Sequence, residues 1–193
     1  MASISERENR RIEAANAFGN TPVVFTHGPW LLPSSWASWA DFFKQAGYAP
    51  LTPDWPDDPE TVKEARANPD VLAQFTYGWA NALGEKEAKE LYDTFHVAGS
   101  GLSLVQMGNA NLNPWTEAKV NTTNPGRGPL LIIDGEKDHT VPWAIANAAY
   151  KRQRRNPAVT EIVKIPNRGH SLTIDHGWRE VAQTALDFVK RFA

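Results

Sequence analysis

The last third of the chain constrains its fold most tightly. "GPLLIIDGEKDHTVP", residues 128–142, is an apolar run that breaks abruptly into an acidic loop. Residues 142–153 then predict a helix, with Pro142 suited to its first turn. "TEIVKI" (160–165) reads as another strand, and "NRGHSLTIDHG" (167–177) as a second polar loop. Over 177–192 a final helix is predicted, with Val181, Ala185, Phe188, Val189 and Phe192 on one face. Strand, acidic loop, helix, strand, histidine loop, helix is the order of an α/β sheet.

The first half begins the same way. Pro22 to Thr26 is a short β-branched run that predicts a buried parallel strand ending at His27-Gly28. Ser34 or Ser35 is placed to cap a helix with Trp36, Trp39, Ala40 and Phe43 on one face, and Gly47 ends it. Tyr48 to Thr52 predicts a second strand, closed by "PDWPDDP". Residues 6–17 read as a polar, weakly anchored helix or arm. The middle, 60–128, differs. It predicts helices near 60–67 and 85–95, a loop-rich stretch, and "SLVQM" (103–107) as its one strand candidate.

Composition excludes several function classes. With 193 residues the chain suits one domain spanning 1–193. A net charge of −2 gives no footprint for nucleic acid or an anionic membrane. The basic run Lys151-Arg152-Gln153-Arg154-Arg155 reads as a solvated helix end. No cysteine is present, so disulfide and thiol chemistry are excluded. The first twenty residues hold no apolar run of signal-peptide length, and no stretch has the length of a membrane span. A cytoplasmic location is expected. Asp134, Asp138, His139 and His170 are acid- and imidazole-rich but lack any strict ligand spacing, so neither metal nor cofactor is expected.

"NRGHSLTIDHG" allows two chemistries. Gly169-His170-Ser171-Leu172-Thr173 is one glycine short of the G-x-S-x-G turn that presents a serine nucleophile. The same loop could instead present His170 as a base. "VVFTHGPW", "LLIIDGEKDHTVP" and "RGHSLTIDHGWREVAQTALDFV" together resemble the α/β-hydrolase superfamily of esterases and lipases. The resemblance covers about 21–58, an N-terminal βαβ part, and 128–193, a C-terminal αβ part; 75–127 resembles a cap segment. It implies that Asp138 is the triad acid, that His170 is the triad histidine, and that His27, Gly28 and Trp30 belong to the oxyanion loop. The family order Ser…Asp…His also argues against Ser171, because only Asp175 and His176 follow it.

The resemblance also implies a nucleophile that the sequence does not offer. No G-x-S-x-G occurs between 54 and 128. "VAGSGLSLV" is the nearest approach, with Ser100 and Ser103 as weak candidates. Position 29 is proline, which has no N–H to donate to an oxyanion; Trp30 N–H is the substitute. The family's size places at least two further strand–helix units here, about 60 residues or more. "NPDVLAQFTYGWANAL", near Ala73 to Phe75, reads as the junction left by a lost central block. The expected fold is thus a reduced α/β-hydrolase-like sheet, mostly parallel, with helices on both faces and the central strands missing. The remaining strands must then close into a roughly four-stranded sheet, or another copy must fill the gap as a homodimer.

Two functions from different classes follow. One is esterase-like hydrolysis, weak or absent, with His170 as base, Asp138 as its orienter, and water or a serine as nucleophile. The other is a silent relative that binds a small apolar or ester-like molecule, or a protein partner, in a pocket including Trp30, Trp55 and Trp143.

Overall fold

The computed structural model describes residues 6–17, 19–28, 30–54, 62, 72–97, 109–113, 115–116 and 119–193. Helix α1 (Glu6–Ala17) leads into strand β1 (Pro22–Val24), and a short 3-10 turn (Pro33–Trp36) precedes α2 (Ala37–Gln45) and strand β2 (Ala49–Leu51). Helices α3 (Leu72–Gly78) and α4 (Glu85–Phe95) follow. The C-terminal part is β3 (Leu130–Gly135), α5 (Trp143–Gln153), β4 (Thr160–Ile165) and α6 (Trp178–Val189). β1 pairs parallel with β2, Val23 opposite Pro50; β3 pairs parallel with β4, Ile133 opposite Val163. Each pair is bridged by its own helix, as a parallel connection requires.

The two pairs do not merge. They form separate two-stranded sheets, which corrects the expectation of one closed four-stranded sheet. Among the described residues no strand lies between β2 and β3, so each pair keeps an edge without a neighbour. What joins the halves is side-chain packing. Phe25, Trp39, Phe43 and Tyr48 from the first half share a core with Ile165, Leu172, Val181 and Leu186 from the second. Phe42 meets Trp178 edge to face at 6.2 Å, and Trp39 Nε1 donates to Thr173 O at 3.1 Å.

Alternation along β3 and β4 places helices on both faces. Ile133, Val163 and Ile165 point into the core that contains α6. The intervening Lys164 stands over the Trp143 ring at the start of α5, 4.3 Å from its centre.

Several expectations need correction. β1 is not a fully buried strand: Val24 is 58% exposed, while Phe25 just beyond it is buried in the core. Neither Ser34 nor Ser35 caps α2; Ser35 Oγ instead donates back to Leu32 O at 2.7 Å. α6 buries Val181, Ala182 and Leu186, while Phe192 lies exposed beyond its end. α1 is anchored, since Arg11 donates to Thr52 O and pairs with Asp54 at 3.5 Å. α4 occupies the predicted 85–95. The helix predicted over 60–67 lies outside the described residues except for Val62, and so does all of "SLVQM".

Candidate active site

Two loops at the C-terminal ends of β3 and β4 form the site. After β3 the chain turns sharply, with Asp138 N–H donating to Gly135 O at 3.1 Å. Asp138 Oδ1 accepts the backbone N–H groups of Thr140 (2.7 Å) and Val141 (2.8 Å), which fixes the carboxylate at the entry to α5. Its other oxygen, Oδ2, lies 2.7 Å from His170 Nδ1. A carboxylate only accepts, so the imidazole carries its proton on Nδ1 and presents the Nε2 lone pair as a base. Burial would raise the Asp138 carboxyl. The hydrogen bond and charge of His170, with the Val141 and Thr140 N–H groups, outweigh burial and hold it below its ordinary value.

The histidine loop is built around a buried ion pair. Arg168 and Asp175 face each other across it, their side chains 9% and 0% exposed. Ser171 Oγ donates to Asp175 Oδ2 at 3.2 Å, and Asp175 Oδ1 accepts Gly177 N–H at 3.0 Å. A Cβ at Gly177 would meet the Arg168 guanidinium, which would have to shift to make room for it. Ser171 is thereby a loop brace, and His170 is the residue of Gly-His-Ser placed beside Asp138. The two loops are also in contact. Lys137 N–H donates to Arg168 O at 2.8 Å, and a Cβ at Gly135 would lie 2.6 Å from that same oxygen.

A third element, which no motif marks, closes over both loops. The end of α3 and the turn after it, residues 77–81, touch them by turns. Asn81 Nδ2 donates to Lys137 O (2.6 Å), Thr140 Oγ1 to Gly78 O (2.7 Å), and Ser171 N–H to Trp79 O (3.1 Å). The Trp79 indole meets the His170 ring edge to face, centroids 4.6 Å apart. From α4, Glu87 accepts the His176 N–H at 2.8 Å and also meets its ring Nδ1 at 2.9 Å. Ala73 to Phe75, the expected junction, lie in α3, the helix that leads into this segment.

Other sequence-selected residues are placed as follows. His27 is buried, its Nδ1 3.1 Å from Gly28 O. Trp30 holds a left-handed φ of 68°, and its carbonyl accepts Val97 N–H at 3.0 Å. Leu31, next along this loop, shares a core cluster with Ala80 and Ile174, which brings the loop to the side of the histidine loop. Ser100, Ser103, Trp55 and Pro29 lie outside the described residues. Among the described residues no three His, Asp or Glu side chains gather to hold a metal ion. No described helix is long and apolar enough to cross a membrane. A cavity of about 260 Å³ opens between α1 and β2, lined by Arg11, Lys44 and Tyr48 among others, with no dyad residue on its wall.

Asp134 lies at the end of β3. Its carboxyl is buried, and Oδ2 has neither exposure nor a hydrogen-bond partner. Burial first, and the charge of Asp138 second, push it above its ordinary value.

No protein-family model and no curated protein matches the sequence. Solved structures do. The chain is similar to esterase 2 of Thermogutta terrifontis, solved phosphorylated by paraoxon, at 12% identity and a TM-score of 0.51 over 90% of this chain and 83% of that one. A predicted CIB-like hydrolase from Thermoplasma acidophilum aligns at 18% identity and a TM-score of 0.49, over 92% of this chain and 89% of that one. The architecture of this chain, two parallel pairs held by one core with an acid loop and a histidine loop at the strand ends, is a reduced α/β-hydrolase fold.

Proposed function

We propose that the chain is a weak esterase-like hydrolase in which His170, oriented by Asp138, acts as a general base. The 2.7 Å contact between Nδ1 and the buried carboxylate carries this reading. The proton sits on Nδ1, and Asp138 stabilises the imidazolium that forms when Nε2 takes a second proton. In the simplest version the nucleophile is water. As its oxygen bonds to the ester carbonyl carbon, Nε2 accepts its proton; the C–O bond then breaks and the leaving oxygen takes that proton back.

This machinery favours small esters with good leaving groups. Pro29 has no N–H, and loss of one oxyanion donor costs about 3–4 kcal/mol of transition-state stabilisation. The structural likeness to an esterase supports the acyl-ester substrate class. Ser100 and Ser103 remain candidate nucleophiles in a covalent version of the same chemistry.

A second reading is a silent relative that binds an apolar ligand or a partner. Leu112 and Trp115, 82% and 86% exposed, favour it, since large apolar groups so displayed mark contact surfaces more often than catalytic ones. Hydrolysis of p-nitrophenyl acetate by the parent, His170→Ala and the double variant Ser100→Ala/Ser103→Ala separates the readings. Loss with His170→Ala alone supports the water route, and loss with the serine pair as well supports the covalent one. Equal rates in all three overturn the enzyme reading. A fluorophosphonate label with peptide mapping checks the serine arm directly.

A further inference from the structure

We propose that Trp79 is a positioning residue for His170, holding the imidazole in the orientation that keeps Nδ1 on Asp138. Trp79 grips two consecutive residues of the histidine loop by two different groups. Its indole lies edge to face against the His170 ring at 83°, and its carbonyl accepts the Ser171 N–H at 3.1 Å. A side chain held only through Nδ1 can still rock about that bond. A second contact on the ring, with the backbone beside it also tied, removes that freedom.

A run of aromatic rings backs Trp79. Phe75 stacks on it at 6.0 Å and 15°, Tyr92 meets Phe75 at 5.5 Å, and His96 stacks on Tyr92 at 4.7 Å. The rings run from His170 back to α4. Phe75 and Ile174 lie in one buried cluster, so the histidine loop and its clamp share a core. Asn81 and Gly78 fasten the other side of the clamp to the acid loop. Gly169 permits the approach: a Cβ there would lie 2.7 Å from Asn81 Oδ1. The segment 77–81 therefore sets the acid and the histidine against each other.

This inference deepens the proposed function, because it names what orients the base, but its test does not require hydrolysis. Proton NMR of the full chain reads the low-field Nδ1–H resonance of His170, identified by its loss in His170→Ala. Carbon NMR reads the titration of the Asp138 carboxyl. The charged groups around the loops, Asp134, Glu136, Lys137, Lys164, Arg168, Asp175, Glu180 and Glu87 among them, stay unchanged in every variant. Trp79→Phe keeps a ring and should retain both signals. Trp79→Leu should lose the low-field resonance, and the Asp138 titration should move up as the His170 contact loosens.

Trp79→Met, unbranched and without a ring, serves the same purpose if the leucine variant does not fold. Phe43→Leu, in the other core cluster, matches the loss of general stability. Parent-like signals in a ringless variant overturn the proposal. So does loss of the resonance in Phe43→Leu, which would make the effect one of general loosening. A parent that hydrolyses no ester but shows this pattern retires the proposed function and leaves the positioning role standing.

Discussion

His170 Nδ1 and Asp138 Oδ2 meet at 2.7 Å across 32 residues of sequence. Either group alone is ordinary; together they make a base with a fixed tautomer. Asp138→Asn reverses that arrangement, since an amide NH₂ facing Nδ1 favours the other tautomer. Hydrolysis of p-nitrophenyl acetate should fall by about a hundredfold or to background in both Asp138→Asn and His170→Ala. A parent-like rate in either variant would show that the dyad does not take part.

Asp134 and Asp138 stand four residues apart and are displaced in opposite directions. The Asp138 carboxyl, held low, stabilises the fold above its ordinary value of 3.8, and that contribution is lost as pH falls through its lowered value. For Asp134 the sign is reversed. Its raised value means that the unfolded chain ionises first, so stability declines as pH climbs from 3.8 toward that raised value and stays lower beyond it. Asp134→Asn should therefore raise the melting temperature at pH 7, with the gain disappearing below about pH 4. The change removes the buried charge but keeps a polar group at that site, so the gain comes from the charge alone. Thermal melts from pH 3 to 8 check both the gain and its pH dependence.

The C-terminal part was legible because its signals are local. Two apolar runs, Pro142 and the face of α6 are each decided within a few residues, and the acid and histidine loops fall at the strand ends that such a fold uses. Sequence could not show that β1 would stand exposed. Val-Val-Phe has the composition of an interior strand, yet Phe25 is buried and Val24 lies exposed, a difference set by tertiary packing. The segment 77–81 was illegible for a related reason. Tyr77 to Asn81 carry no motif, and their role comes from contacts with residues more than 50 positions away. The packing of α2 against α6 that joins the halves is a long-range contact, and the helical periodicity of each face does not name its partner.

Ser171 offers a direct check on the loop's chemistry. Its Oγ is buried and bonded to Asp175, so it cannot reach a substrate. Ser171→Ala should leave ester hydrolysis within about twofold of the parent while lowering stability by about 1 kcal/mol, the net worth of one hydrogen bond. Activity assays beside urea unfolding measure the two effects. A large loss of rate at unchanged stability would return Ser171 to the chemistry.

Arg168 and Asp175 give the strongest stability prediction. The pair is nearly inaccessible, so removing one member strands a buried charge, whereas removing both leaves apolar space. Asp175→Asn should destabilise the chain by about 3–5 kcal/mol, because Arg168 loses its counter-ion while Ser171 and Gly177 lose a full charge as acceptor. Arg168→Met should cost a comparable amount. The double variant Arg168→Met/Asp175→Leu should cost less than the sum of the two single changes. Denaturant unfolding of the four proteins closes this cycle, and strict additivity would show that the pair is not coupled. Because His170 sits inside the same loop, any folded single variant should also lose the low-field His170 proton, which ties the ion pair to the geometry of the base.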